Sequence, residues 1–85
     1  MADKIIMYST DWCGDCRRAK RFFEHHQIAY ENVNIDKNPK AIEIVRRLNN
    51  GNRSVPTIVF SDGSILVEPS NAQLAQKLGL SFGSN

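Results

Sequence analysis

The chain has 85 residues, 41% of them hydrophobic, a formal net charge of +2 and two cysteines. That is enough apolar content for one modest core, so a single domain spanning residues 1–85 is predicted. So mild a charge gives no case for nucleic acid, and no apolar run approaches the length of a membrane span. Met1-Ala2-Asp3-Lys4 leads into a strand rather than a secretory signal, so a cytoplasmic chain with no membrane or nucleic-acid partner is expected.

Lys4–Tyr8 reads as a short buried strand, followed by a loop, Ser9-Thr10-Asp11-Trp12. Cys13-Gly14-Asp15-Cys16 then opens a helix that runs to about His26-Gln27, with no Gly or Pro from Arg17 to His26. His25 and His26 suit the negative end of that helix. A second strand is placed at Tyr30–Asn34. Asp36-Lys37-Asn38-Pro39 is a turn and helix start, with Asn38 as N-cap and Pro39 in the first helical position. The second helix carries Ala41, Ile44, Val45 and Leu48 on one side, and Glu43 at pairing distance from Arg46 and Arg47. Asn49-Asn50-Gly51-Asn52 ends it, Gly51 supplying a left-handed residue.

Arg53-Ser54-Val55-Pro56 leads into a third strand, Thr57–Phe60. Asp62-Gly63 is a two-residue hairpin signal and Ser64–Val67 the returning strand. Ser70 and Gln73 form a capping box for a last helix with Leu74 and Leu78 inward and Gly79 at its end. The tail, 81–85, is expected to be loose. The order is βαβαββα. The strand–helix–strand start requires parallel pairing, and the hairpin requires antiparallel pairing. A four-stranded mixed sheet with helices on both faces satisfies both: an α/β fold of thioredoxin-like architecture.

Both thiols lie within one turn of a helix N-terminus, close enough for a reversible disulfide. Free N–H groups and the positive end of the macrodipole stabilise a thiolate there, so the Cys13 pKa is expected to fall from about 8.5 into the range of roughly 3.5–7.5. Cys13, next to the loop, is expected to be the exposed nucleophile. Cys16 begins a stripe with Ala19, Phe22, Phe23 and His26, faces the core, and suits the resolving role. Arg17, Arg18, Lys20 and Arg21 add positive charge, while Asp15 opposes the thiolate and pairs with Arg18. Trp12 either shields the thiol, forms a docking surface or packs as an anchor.

Other uses of two cysteines are weaker. Zinc lacks a second CxxC, and His25 and His26 are too near Cys16 for finger spacing. A structural staple across so tight a loop removes little chain entropy. Two incidental core cysteines remain the plain alternative. No metal site is assigned.

Tyr8-Ser9-Thr10-Asp11-Trp12-Cys13-Gly14-Asp15-Cys16, followed by Val55-Pro56-Thr57 before a strand and an Asp-Gly hairpin, resembles the glutaredoxin family, and within it the small glutaredoxin-like proteins that include the mycoredoxins. The resemblance implies a cis proline at Pro56 lying against the cysteine pair, and a Val55 backbone that pairs with a thiol substrate. An X-Pro bond is also the one place where a cis peptide costs little. Many members have Pro and Tyr between the cysteines, where this chain has Gly14 and Asp15. The Gly-Gly segment and following Asp that hold glutathione are replaced by Val67-Glu68-Pro69-Ser70-Asn71. Ser70 and Asn71 still offer a hydroxyl, an amide and helix N–H groups to a carboxylate. Arg17 and Arg53 are candidates for an anionic group.

The resemblance implies a thiol–disulfide oxidoreductase acting on protein disulfides or on mixed disulfides with a low-molecular-weight thiol, mycothiol or glutathione, with no tightly bound cofactor. Three alternatives stand beside it. One is an electron donor linked to a flavin disulfide reductase such as thioredoxin reductase, serving for example ribonucleotide reductase. The second is an iron–sulfur cluster carrier, and the third a non-catalytic binding module. A monomer is expected.

Overall fold

A computed structural model describes residues 4–80 of the chain. These form β1 (Ile5–Ser9), α1 (Gly14–His25), β2 (Tyr30–Asn34), α2 (Pro39–Leu48), β3 (Thr57–Val59), β4 (Ile65–Val67) and α3 (Asn71–Leu78), with a short 3-10 turn at Ile35–Lys37. The sheet order is β2-β1-β3-β4. β1 runs parallel to β2, with Ile5 opposite Tyr30 and Ser9 opposite Asn34, and antiparallel to β3, with Tyr8 opposite Thr57. β3 and β4 are antiparallel. The mixed thioredoxin-like sheet read from the sequence is therefore the observed one, with strand ends shifted by a residue or so. The tail at 81–85 lies outside the described residues.

The period of two along β1 divides the core into two halves. Ile5 and Met7 join Ala19, Phe22 and Phe23 of α1 and Leu74 and Ala75 of α3 on one face. Tyr8 packs on the other face with Ile35 and with Ala41 and Val45 of α2. Helices thus cover both faces, and α1 and α3 share one of them. Among the described residues no helix is long and apolar enough to cross a membrane.

Local signals set the boundaries. The Asn38 side chain accepts from the Ala41 N–H, with Pro39 in the first turn, and Ser70 and Gln73 close the reciprocal capping box. Gly51 (φ +96°) and Gly79 (φ +71°) take left-handed conformations where their helices stop.

Three expectations are corrected. The buried stripe of α2 centres on Ala41 and Val45 and leans towards Ile42, so Ile44, about 200° further round the axis from Ile42, turns to solvent. Leu48, on the same edge, is exposed as well. Glu43 forms no ion pair with Arg46 or Arg47; Arg46 instead donates to the Gly51 carbonyl at 3.3 Å. Leu78 does pack inward, half-buried against the core that holds Leu74 and Ala75. The hairpin is wider than two residues. Phe60 N–H donates to Ser64 O and Gly63 N–H to Phe60 O, both at 2.8 Å, leaving Ser61, Asp62 and Gly63 as the loop. Gly63 takes φ +88°, the left-handed position that a three-residue loop needs.

Candidate active site

Because β1 and β3 are antiparallel neighbours, the loop after β1 and the loop before β3 emerge at the same end of the sheet. The first carries Cys13, the second Val55 and Pro56. Cys13 is the N-cap of α1: its backbone is extended (φ −91°, ψ 116°) and its sulfur accepts the Cys16 N–H at 3.0 Å. A sulfur thus stands where a Ser or Asp oxygen would cap a helix, at the positive end of the α1 dipole.

The cap geometry overturns one expectation. A capping side chain folds back over the first turn, so Cys13 does not project into solvent and is only 7% exposed. Its thiol donates to the Val55 carbonyl at 3.7 Å. Among the described residues, no backbone group bonds to the N–H or C=O of Val55, so apart from the Cys13 thiol that edge is open to an extended partner. The Val55–Pro56 bond is cis and Pro56 is fully buried. Thr57 fixes this loop by donating to Ser54 O at 2.7 Å and accepting from Asn49 Nδ2 at 2.9 Å.

Cys16 is fully buried, as its place in the stripe requires, and both cysteines are free thiols. Burial, followed by a hydrogen bond with Cys13 and the Cys13 charge, pushes the Cys16 thiol up to about 12. A backbone hydrogen bond from Thr10 and the charge of Lys20 act the other way. The Thr10 hydroxyl is the one buried side-chain polar atom among the described residues with no hydrogen-bond partner.

A groove of about 300 Å³ is lined by Thr10, Trp12, Ile35, Arg53 and Val55. It adjoins the Cys13 sulfur through Trp12, its neighbour in the chain, and Val55, its hydrogen-bond partner. Trp12 is 68% exposed, and its indole N–H donates to Asp36 at 2.9 Å. Arg53 donates to the same carboxylate at 3.5 Å. A Cβ added at Gly14 would meet no atom within 4 Å, so space is open beside the start of α1.

The remaining predicted residues lie apart from this groove. Asp15 pairs with Arg18 at 3.2 Å, as expected. Arg17 donates to the Asp11 carbonyl at 2.9 Å. The Ser70 hydroxyl is used in its capping box, and the Asn71 carboxamide oxygen accepts from Arg18 at 3.1 Å. Asn71 lines a different hollow, of about 350 Å³, with Arg18, Arg21, Phe22, His25 and His26. Sequence reading missed Asp36 and passed over Thr10. Asp36 carried a turn signal only, and nothing in a spacing of 24 residues announces its contact with Trp12. Among the described residues, no three His, Cys, Asp or Glu side chains converge on a point that could hold a metal ion.

The arrangement can perform thiol–disulfide exchange: a sulfur at a helix N-terminus, a second thiol one turn on, and an open backbone edge against the first. A family model described as Glutaredoxin matches residues 5–65. The chain is 45% identical over 74 residues to a provisionally named glutaredoxin of Mycobacterium tuberculosis, covering 87% of this chain and 88% of the relative. It is 34% identical over 74 residues to mycoredoxin 1 of Corynebacterium glutamicum, covering 87% of this chain and 91% of that one. The crystal structure of a glutaredoxin from Methanosarcina mazei is similar with a TM-score of 0.77 at 26% identity, over 92% of this chain and 80% of that one. Sequence and architecture agree: the chain belongs to the glutaredoxin family, whose general chemistry is thiol–disulfide exchange.

Proposed function

We propose that the chain reduces mixed disulfides between proteins and a low-molecular-weight thiol, with Cys13 as nucleophile. The Cys13 thiolate attacks the sulfur of the small thiol. The protein–thiol S–S bond breaks, a new S–S bond joins Cys13 to the small thiol, and the protein sulfur leaves as a thiolate that takes a proton from solvent. A second molecule of the small thiol, as its thiolate, then attacks the adduct, releasing the symmetric small disulfide and restoring the Cys13 thiolate. The observation that carries this reading is Cys13 capping α1 with its thiol on the Val55 carbonyl, whose backbone pairs with no other backbone group among the described residues.

Cys16 supplies the other route. Burial is the largest influence that keeps it protonated; two lesser ones, the hydrogen bond with Cys13 and the Cys13 charge, come from the free Cys13 sulfur. Both are lost once Cys13 is tied up in a mixed disulfide. Deprotonation of Cys16 is then easier, and its thiolate, the proton having gone to solvent, attacks Cys13, expelling the bound thiol as a thiolate and leaving a Cys13–Cys16 disulfide. That disulfide needs two electrons, from two small thiols or from a flavin disulfide reductase.

The thiol is mycothiol or glutathione by similarity to mycoredoxin 1 and the glutaredoxins. The test is to offer the protein a mixed-disulfide substrate with each thiol and its regenerating system, and in parallel with NADPH and thioredoxin reductase. Turnover with one small thiol at least about tenfold above the others establishes the reading. Turnover with the reductase alone overturns the small-thiol part and leaves a reductase-linked electron donor.

A further inference from the structure

The groove beside Cys13 carries one cation, Arg53, and that charge is already answered. The Asn34 side chain accepts the Asp36 N–H at 2.9 Å and so caps the 3-10 turn that presents Asp36 to the groove wall. The Asp36 carboxylate takes the Trp12 indole N–H on one oxygen, at 2.9 Å, and Arg53 on the other, at 3.5 Å. Close by, Lys37 faces Asp11 at 3.9 Å, so a second carboxylate offsets a second cation. Arg17 does not line the groove and is held on the Asp11 carbonyl. What remains to meet a ligand is the side chain of Trp12, the apolar side chains of Ile35 and Val55, and Thr10.

We propose that Asp36 is a specificity-determining residue. By tying Trp12 and Arg53 together and cancelling the Arg53 charge, it makes the groove favour the uncharged portion of a thiol over a carboxylate-bearing one. This rests on the reading that Cys13 exchanges with a small thiol, whose body would lie in the groove. A stability role explains the geometry less well. Asp36 and Arg53 are both well exposed, and exposed ion pairs contribute little to folding.

Asp36→Asn removes the charge and keeps an oxygen for the indole N–H, so it isolates the electrostatic effect. In a Cys16→Ser background, rates of adduct formation at Cys13 are measured by intact mass with three disulfides: cystamine (cationic), hydroxyethyl disulfide (uncharged) and glutathione disulfide (anionic). Asp36→Asn is expected to raise the glutathione rate relative to hydroxyethyl disulfide by roughly three- to tenfold and to lower the relative cystamine rate by a similar factor, both effects shrinking at high salt. Asp36→Ala, which also removes the indole partner, should in addition shift the emission of Trp12, the chain's one tryptophan. Rates that change equally for all three disulfides, or not at all, overturn the proposal and leave the exchange reading standing. No adduct with any of them overturns both.

Discussion

The Cys13 sulfur stands 3.7 Å from the carbonyl oxygen of Val55, across 42 positions of sequence. Antiparallel pairing of β1 with β3 produces this contact, because it delivers the loop following one strand and the loop preceding the other to a single end of the sheet. Neither loop makes a site alone. The helix cap holds the sulfur, the Val55 backbone lies against it, and the sheet fixes the distance between them.

Cys16 should be the slow thiol. Its pKa, raised from 9.0 to about 12, leaves very little thiolate near neutrality, and its sulfur is fully buried. Alkylation of the reduced native protein at pH 8, followed by peptide mapping, should modify Cys16 at least about tenfold more slowly than an unstructured thiol, after allowing for the higher nucleophilicity of a more basic sulfur. The same shift has a stability consequence. A raised folded-state pKa contributes stability that is fully present below the ordinary thiol value and lost as pH rises from about 9 towards about 12. Reduced protein should therefore lose melting temperature across that window more steeply than Cys16→Ala. Parallel curves would contradict the assignment.

Thr10→Val should be neutral or stabilising by up to about 1 kcal/mol, since it replaces a buried hydroxyl without a partner by a methyl group of similar volume. Denaturant unfolding measures it. A loss greater than about 1 kcal/mol would mean that the hydroxyl has a native partner.

The hairpin is fastened to α3 by Lys77, whose Nζ lies 2.7 Å from an Asp62 oxygen. That hydrogen bond, followed by those from the Ser64 side chain and backbone, holds the Asp62 carboxyl well below the usual carboxylate range. A depressed pKa contributes stability above the unfolded value of about 4, fading as acid protonates the folded carboxylate. The melting-temperature gap between wild type and Asp62→Asn should thus be largest near neutrality and narrow as pH falls below about 4. A gap independent of pH would remove Lys77–Asp62 as the fastening.

Much of this was legible because the signals are local. Asn38-Pro39, the Ser70–Gln73 box and Gly79 mark helix ends through contacts within a few residues. The CxxC between a strand and a helix placed both thiols in the first turn, and the hairpin with the parallel start left one sheet arrangement. What escaped is tertiary. The inward fold of Cys13 depends on its role as a cap against Val55, and the exposure of Ile44 on how α2 rolls onto Ile35 and Tyr8. Asp36 became visible only once the turn after β2 stood beside Trp12 and Arg53. Residues that meet across the sheet leave no periodicity to read.

The most direct test of the central claim, that Cys13 is the attacking sulfur, uses Cys16→Ser and Cys13→Ser proteins, each reduced and offered the same small disulfide. Intact mass should show one stable adduct on Cys16→Ser, mapped to Cys13, and none on Cys13→Ser over the same time. An adduct that forms as readily on Cys13→Ser would place the nucleophile at Cys16 and contradict the account.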